Sequence, residues 1–504
     1  MVDSGLRARN SPSAQTLQPQ PIGRCSMEDT GGVPDEVDTN VATPKSSASG
    51  TISELLQTAP PGFGVRIGIV LCLGNACDAL ETLSGGFVSL QLQKEFSGIE
   101  TLMAAVFVGM FAGGCCAGTA ACRYGPTRVL VWMLSLECVA AFGGSTSRSG
   151  LQFAFWRFLS GFSVGAAVPS LFTTANELIH PVVRRNRWLN LIASSFMIGS
   201  ITDAILAYIM EKCLELPWRY FYAATGLLPL IAALLTHSWI PESPNFLLHK
   251  GHRVQLHREL QKVGTHWSAS QGSTAFHVSP DTDLETESIL AKEEQGSAPT
   301  FSRLLTGAWR GNLQRLAVVC FSIAFAWYGL STWLLIIFEQ VGVKDPYLAA
   351  VAFSLSGLPG CVVCITLIAW VQPVVLLGSA LLSTSVTSLA LAVMLRGSSR
   401  LPPLAAVATV CIFNSMSTGV FNVLTTVWAC PFPLELQPLA VGFLSVAMRV
   451  GSIAAQFVDG AMMEHGEGFQ MVLITSILLA VSALATVGVR SSDWSQTSGT
   501  PGGV

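Results

Sequence analysis

The sequence contains few charged residues. Its 504 residues include 28 Lys and Arg and 31 Asp and Glu, so that 12% of the chain is charged, whereas soluble domains average about 25%. The formal net charge is only −3, which leaves no basic surface for nucleic acid. This composition excludes a soluble enzyme, a disordered chain and a nucleic-acid-binding protein.

Several sequence signals are also absent. No apolar segment directly follows Met1, so we expect no cleaved signal peptide. No phosphate-binding loop, nucleophile elbow or metal-ligand pattern occurs, which argues against an enzyme and against a cofactor. Most of the 13 cysteines lie in apolar runs and are typical of small hydrophobic residues. The Cys361-x-x-Cys364 pair lacks further ligands, so we expect no metal site.

Long apolar runs dominate the rest of the chain, since 50% of its residues are hydrophobic. A membrane-spanning helix needs about 20 apolar residues. The sequence predicts an all-α integral membrane protein with six plus six spans, near 63–90, 101–120, 127–147, 151–178, 188–210, 219–240, 315–339, 347–370, 373–395, 402–426, 434–459 and 469–489.

The charged residues divide the chain into segments. The segment 243–312 holds 14 charged residues in 70, whereas 313–489 holds 11 in 177, which indicates a hydrophilic connection between two membrane halves. The Ser- and Pro-rich start of the chain is typical of disorder. The predicted organisation is a disordered cytoplasmic tail (1–60), a six-helix bundle (61–242), a cytoplasmic linker (243–312), a second six-helix bundle (313–490) and a cytoplasmic tail (491–504).

The positive residues of the short loops predict the orientation. With the N-terminus inside, the inner loops of the first half carry Arg123, Arg128 and the cluster 184–187. Arg396 and Arg400 of the second half fall outside and contradict this orientation mildly. Because the first half usually decides the orientation of the whole chain, we predict that both termini are cytoplasmic. The expected location is the plasma membrane or an intracellular vesicle membrane.

Charged residues within the predicted spans are candidates for function, because a charge in hydrocarbon is costly. Asn75, Asp78 and Glu81 follow one face of the first helix. Two carboxylates one turn apart repel each other, so one of them is expected to hold a proton near neutral pH. Arg157 in the fourth helix is the expected counter-ion of Asp78. These three charged residues are the predicted proton-coupling site, although Glu81 could also simply face water.

The motifs along the chain resemble those of one membrane-protein family. WRFLSGFSVG (156–165), the later Glu177 and RRNR (184–187) are similar to the fourth helix and following loop of the major facilitator superfamily. PESPNFLLHKG (241–251), RYGPTR (123–128) and the region 432–457 match further motifs of that superfamily. The Asp78-Ala-Leu-Glu81 pattern and AWYGLSTWL (326–334) favour its sugar-porter and synaptic-vesicle-2-related, organic-ion branch.

The resemblance implies a fold and a gate. It implies two six-helix bundles related by a pseudo-two-fold axis, with helices 1, 4, 7 and 10 lining a central cavity. It also implies that Arg123, Arg128, Glu177 and Arg184 take part in gating, with a contact between Glu177 and Arg184. The chain departs from the family pattern at Cys122, Asn245, Cys430 and Gln437, and the loop 369–375 lacks its motif. The gate network is therefore thinner than usual.

Other polar residues in the spans are candidates for substrate binding: Asn75, Trp327, Tyr328, Asn414, Asn422 and Arg449. Trp327 and Tyr328 could instead serve ordinary packing, and the two asparagines of helix ten could merely tie helices together. Arg449 requires an anion, which substrate, Asp459 or Glu435 could supply.

These observations predict a secondary active transporter of a small polar organic solute, namely a sugar, carboxylate or organic ion. Proton symport by alternating access is the expected mechanism, and the substrate, the proton and the lipid bilayer are the expected partners. A uniporter or organic-ion exchanger is the alternative within transport. A transporter-like vesicle protein that carries nothing is the alternative outside it, and the thinned gate motifs favour it slightly.

Overall fold

A computed structural model gives the structure of the chain. It describes residues 61–252, 254–256, 258–259, 309–368, 370–396, 402–428, 431–432 and 436–489. The two predicted tails, most of the predicted linker, Cys430 and Glu435 lie outside the described residues. Within the described residues, twelve helices are long and apolar enough to cross a membrane, which confirms the twelve predicted spans.

The first six helices form one bundle. They are α1 (Pro61–Glu95), α2 (Ile99–Tyr124), α3 (Pro126–Ser145), α4 (Gly150–Leu178), α5 (Val182–Ala207) and α6 (Trp218–Trp239). A π-helical turn, Tyr208–Cys213, prolongs α5. A short helix, Pro244–His249, follows α6. π-Helical turns frequently mark functional sites.

The last six helices form the second bundle. They are α7 (Arg310–Gln340), α8 (Pro346–Leu367), α9 (Pro373–Arg396), α10 (Pro403–Val427), α11 (Gln437–Glu464) and α12 (Gly468–Thr486). Proline begins several of these helices, as at Pro346 and Pro403, because the first turn of a helix needs no amide donor from that position. Asp345 caps α8 by accepting a 3.1 Å hydrogen bond from the amide of Leu348.

A seam of four glycines brings α2 and α4 into backbone contact. A methyl group at Gly109 or Gly113 would overlap the carbonyl groups of Phe158 or Phe162, and one at Gly161 or Gly165 would overlap those of Val106 or Met110. Small residues of this kind allow spanning helices to approach closely. Gly161 and Gly165 are four residues apart, so they lie on one face of α4.

The two bundles meet along three helix pairs, α1 with α7, α2 with α11 and α5 with α8. At the end where α1 passes into α2, the contacts are close. A methyl group at Gly86 of α1 would lie 3.1 Å from the carbonyl oxygens of Ser331 and Thr332 on α7, and one at Gly460 of α11 would lie 2.6 Å from Cβ of Glu100 on α2. This end, the α1–α2 end, is closed between the bundles.

The opposite end, where α2 passes into α3, is looser. Gly118 of α2 and Gly442 of α11 are both exposed, and a methyl group at either would meet no described atom within 4 Å. α2 and α11 are in contact elsewhere along their length. The two bundles therefore converge towards the α1–α2 end and diverge towards the α2–α3 end, as one state of an alternating-access carrier requires.

Candidate functional site

Aromatic side chains from both bundles meet near the middle of the helices. The ring of Tyr328 on α7 packs edge-on against Phe107 of α2 at 5.0 Å between centroids, and edge-on against Trp327 at 4.9 Å. Trp327 also contacts Phe196 of α5 and Phe421 of α10, each at 5.8 Å. We call these five residues the aromatic cluster. They provide flat apolar surfaces between the two bundles, which suit an aromatic ring.

Arg449 of α11 lies beside this cluster with a weak partner. Its side chain is half-buried, and Nη1 lies 3.0 Å from the thioether sulfur of Met110 on α2. The Tyr328 hydroxyl is in contact with the guanidinium group. Among the described residues no carboxylate forms an ion pair with Arg449. A thioether is a poor acceptor, so the guanidinium retains the capacity to bind an anion.

Asp78 is the carboxylate whose charge acts on Arg449 across the space between the bundles. It is half-buried on α1 and accepts a 3.1 Å hydrogen bond from the hydroxyl of Thr82. The anions expected for Arg449 lie elsewhere, because Asp459 packs against Gly329 and Glu435 is outside the described residues. Sequence reasoning missed this relationship, since it depends on how the two bundles meet.

Arg157 occupies a buried pocket one turn away from Asp78, on the Glu81 side of α1. Its Nη1 donates to the carbonyl of Glu81 at 2.6 Å and to the hydroxyl of Ser84 at 3.3 Å, and Nη2 donates to the carbonyl of Thr82 at 3.4 Å. A methyl group at Gly85 would lie 2.6 Å from Nη2. The predicted Asp78–Arg157 pair is therefore wrong, because the guanidinium binds the backbone of the next turn.

The Arg157 pocket contains more carboxyl groups than positive charges. Glu81 and Asp203 of α5 are both buried, and both lie within electrostatic range of Arg157. The carboxyl group of Asp203 has no hydrogen-bond partner among the described residues, whereas the hydroxyl of Ser160 on α4 interacts with Glu81. Glu137 of α3 is equally buried and acts on Glu81. One guanidinium neutralises one carboxylate, so the other acids are expected to hold protons.

The predicted polar residues of the spans mostly tie helices together. Asn75 donates to the carbonyl of Ile192 on α5 at 2.8 Å. Asn414 of α10 accepts from the Trp327 indole at 2.9 Å and donates to the carbonyl of Phe353 on α8 at 2.6 Å. Asn422 is half-buried, and its amide nitrogen has no partner among the described residues. Asn75 and Asn414 thus join neighbouring helices, and their side-chain amides are engaged in these contacts.

The predicted gate residues lie at the α2–α3 end in two groups. The first group surrounds Glu242, which follows α6. Glu242 accepts hydrogen bonds from the amides of Thr127 at 3.0 Å and Arg128 at 3.1 Å, and it forms a 3.7 Å ion pair with the Arg128 side chain. Because these amides begin α3, Glu242 acts as a helix cap. Arg123 is exposed and lies over the ring of Tyr124 at 5.3 Å.

The second group links α4 to the segment after α6. The carboxylate of Glu177 accepts a short hydrogen bond from the hydroxyl of Ser243, which itself caps the short helix through the amide of Phe246 at 3.1 Å. Arg184 lies over the start of α1, with its Cδ 3.7 Å from where a methyl group at Gly64 would stand. Ser243 is therefore one partner of Glu177, and the Glu177–Arg184 contact stays a prediction.

Two six-helix bundles that meet along three helix pairs define a class of membrane transporter. The family model of the Major Facilitator Superfamily matches residues 71–456. The chain therefore belongs to the major facilitator superfamily, which confirms the family and the fold expected from the motifs.

Known members of the superfamily are similar over most of the chain. The niacin transporter of Acinetobacter baylyi is 25% identical over 427 residues, covering 83% of this chain and 92% of the relative. The 4-hydroxybenzoate transporter of Pseudomonas putida is 25% identical, covering 82% of this chain and 88% of the relative. Human synaptic vesicle glycoprotein 2C is 27% identical over 299 residues, covering 52% of this chain and 41% of the relative.

Solved structures share the fold. The D-xylose-proton symporter superposes with a TM-score of 0.65 at 16% identity, covering 84% of this chain and 97% of the symporter. The inward-open xylose transporter of E. coli gives 0.66 at 15% identity, covering 86% of this chain and 98% of that transporter. At this identity the likeness describes the architecture, and the protein is an integral membrane transporter of a small organic solute by its family.

Proposed function

We propose that this protein carries small aromatic carboxylates across a membrane together with protons. The observation that supports the proposal is the Arg449 guanidinium, which lacks a bound carboxylate among the described residues and lies beside Tyr328 of the aromatic cluster. Niacin and 4-hydroxybenzoate, which two similar proteins are named for, each combine a carboxylate with an aromatic ring. One charge and one flat ring are the features that such a site would bind.

Coupling follows from competition for Arg449. Without substrate, the Arg449 guanidinium favours the ionised form of Asp78 across the space between the bundles. A substrate carboxylate that binds Arg449 displaces this interaction and leaves Asp78 half-buried without a counter-charge. An uncompensated carboxylate in such a place binds a proton readily, so substrate and proton binding favour each other, as linkage requires.

Alternating access would consist of rocking of the two bundles around this site. The positive residues of the first half orient the α2–α3 end and both termini towards the cytoplasm. In that orientation the closed α1–α2 end faces outward, and the conformation described is open to the cytoplasm. An epitope inserted near Ser279 is then expected to bind antibody only after the cell is opened, and binding to intact cells with surface-located protein would contradict the orientation.

The test is uptake into proteoliposomes that contain the purified protein. Labelled 4-hydroxybenzoate and nicotinate are expected to accumulate when an inward proton gradient is imposed. Labelled xylose is expected not to accumulate under the same conditions. Arg449→Gln should reduce carboxylate uptake by about tenfold or more, because a charge-assisted hydrogen bond contributes ~1.5–3 kcal/mol. Arg396→Gln, which removes an exposed arginine of the same bundle, is the matched control and should transport normally.

The outcomes separate the alternatives. Uptake that reaches only the external concentration, with or without the gradient, would indicate a uniporter or exchanger. Accumulation of xylose with no carboxylate uptake would contradict the substrate class. Absence of flux for all three solutes in a correctly folded preparation would favour the non-transporting, vesicle-protein alternative.

A further inference from the structure

The second bundle contains a buried carboxyl group that the proposed function does not use. Asp459 of α11 is 1% exposed, and neither of its carboxyl oxygens has a hydrogen-bond partner among the described residues. No positive side chain of the described residues acts on it. A carboxylate that is buried without a counter-charge costs several kcal/mol, so such a group is normally neutral.

Gly329 and Gln456 shape the surroundings of this carboxyl group. Gly329 of α7 lets it pack directly on the helix backbone, because a methyl group there would overlap Oδ2 of Asp459. Gln456, one turn earlier on α11, is completely buried and directs its amide nitrogen to the carbonyl of Tyr328 at 3.5 Å. Both side chains therefore lie against the same turn of α7.

The amide oxygen of Gln456 is an acceptor without a donor. It has no hydrogen-bond partner among the described residues. Side chains three residues apart on a helix are neighbours, so the acid of Asp459 can donate its proton to this oxygen. A buried acceptor that lacks a donor is costly, and a proton on Asp459 supplies the donor.

The contact next to Asp459 is one that closes the α1–α2 end. The following residue, Gly460, packs on Glu100 of α2 and on Trp333 of α7, at 2.6 Å and 3.0 Å from where a methyl group would stand. Of these two neighbours only Glu100 is titratable, and it is acidic; the carbonyl of Tyr328 and the backbone at Gly329 are what α7 brings to Gln456 and Asp459. Separation of α2 from α11 would therefore uncover Asp459 to water at that end.

We propose that Asp459 and Gln456 form a second proton-binding site, which loads when the α1–α2 end is open and is occluded in the conformation described. One O–H bond forms on the Asp459 carboxylate while one O–H bond of a hydronium ion in the adjoining water breaks, which leaves a water molecule, and no other bond changes. The site lies in the other bundle from Asp78. It rests on the proposed function only for the alternating-access movement.

Infrared absorption of protonated carboxyl groups in the purified protein tests the site directly. At neutral pH, Asp459→Asn is expected to remove the absorption of one protonated group. Glu464→Gln, which removes an exposed acid of the same helix, should leave that absorption unchanged. Gln456→Leu should shift the Asp459 band to higher frequency, because the acid loses its acceptor. If Asp459→Asn does not fold, Gln456→Leu and Asp459→Glu carry the test, since either should shift the same band.

An Asp459→Asn spectrum equal to the wild-type spectrum would overturn the proposal. Loss of the band when NaCl is added at constant pH would also overturn it, because the site would then bind sodium in place of a proton. These readouts do not depend on transport. A titrating Asp459 band in a protein whose uptake ignores the proton gradient would contradict the proposed coupling and leave the second site intact.

Discussion

Tyr347 at the start of α8 donates a 2.5 Å hydrogen bond to the carboxylate of Glu211, in the π-helical turn that prolongs α5. Gln91 of α1 donates to the same carboxylate oxygen at 2.8 Å, and its own side-chain oxygen accepts from the amide of Trp218 at 3.0 Å. The contact joins the two bundles at the closed end. Its partners must separate whenever that end opens.

Tyr347→Phe should therefore favour opening of the α1–α2 end. A buried acceptor that loses its donor costs ~1–3 kcal/mol, so the open population should rise by about fivefold or more. Faster hydrogen exchange in the π-helical turn Tyr208–Cys213 would report the change. Tyr220→Phe removes the hydroxyl of a tyrosine that is 59% exposed and should leave the exchange unaltered. Equal exchange in Tyr347→Phe and wild type would show that the bond does not hold the end closed.

Asp78→Asn separates coupling from substrate binding. The amide cannot take up a proton, but it also no longer competes with substrate for Arg449. We expect accumulation against a gradient to be lost while exchange of internal for external carboxylate persists, with unchanged or tighter substrate binding. Counterflow and gradient-driven uptake measured side by side provide the check, with the exposed Glu215→Gln as control. Accumulation at the wild-type level in Asp78→Asn would remove Asp78 from the coupling mechanism.

Gly161→Ala should destabilise the first bundle. The added methyl group would overlap the carbonyl of Val106, and overpacking typically costs ~1–3 kcal/mol. Gly118→Ala provides the matched control on α2, because a methyl group there meets no described atom within 4 Å. The thermal unfolding midpoint of the purified protein should fall for Gly161→Ala alone. Similar midpoints for both variants would mean that the α2–α4 seam tolerates separation.

Glu242→Ala should loosen the start of α3. The amides of Thr127 and Arg128 would lose their acceptor, and loss of a helix cap costs ~0.5–2 kcal/mol. Glu242→Gln keeps an acceptor oxygen and should retain much of the stability. We expect the unfolding midpoints to fall in the order wild type, Glu242→Gln, Glu242→Ala. If Glu242→Ala has the same unfolding midpoint as the wild type, the cap does not stabilise the protein.

The sequence predicted the twelve spans because each is a long apolar run, and the motifs predicted the family. It also placed Asp78, Arg157 and Arg449 within predicted spans as candidate functional residues. The partners of these side chains depend on how each helix is rotated about its axis and how far it is shifted along its neighbours. The hydrophobic periodicity of the sequence determines neither of these. Arg157 binds the backbone around Glu81, one turn away from Asp78. Asp78 and Arg449 come from different bundles, so no local pattern could relate them.

The π-helical turn was beyond sequence reasoning for a similar reason. The π-helical turn follows an ordinary apolar helix. None of the residue types in its sequence, YIMEKC, predicts a change from α-helical to π-helical pitch. The turn changes the face on which Glu211 emerges, and so determines that this acid meets Gln91 and Tyr347. A helix of constant pitch would have predicted a different face for Glu211.

The glycine seam between α2 and α4 makes these two helices a single mechanical part. Backbone packs on backbone there, so no layer of side-chain rotamers can absorb a displacement of one helix along the other. A movement at Glu100, where α2 begins and touches α11, is therefore expected to displace α4 and with it Arg157. The glycine seam thereby couples the opening and closing of the α1–α2 end to the position of the buried Arg157 guanidinium.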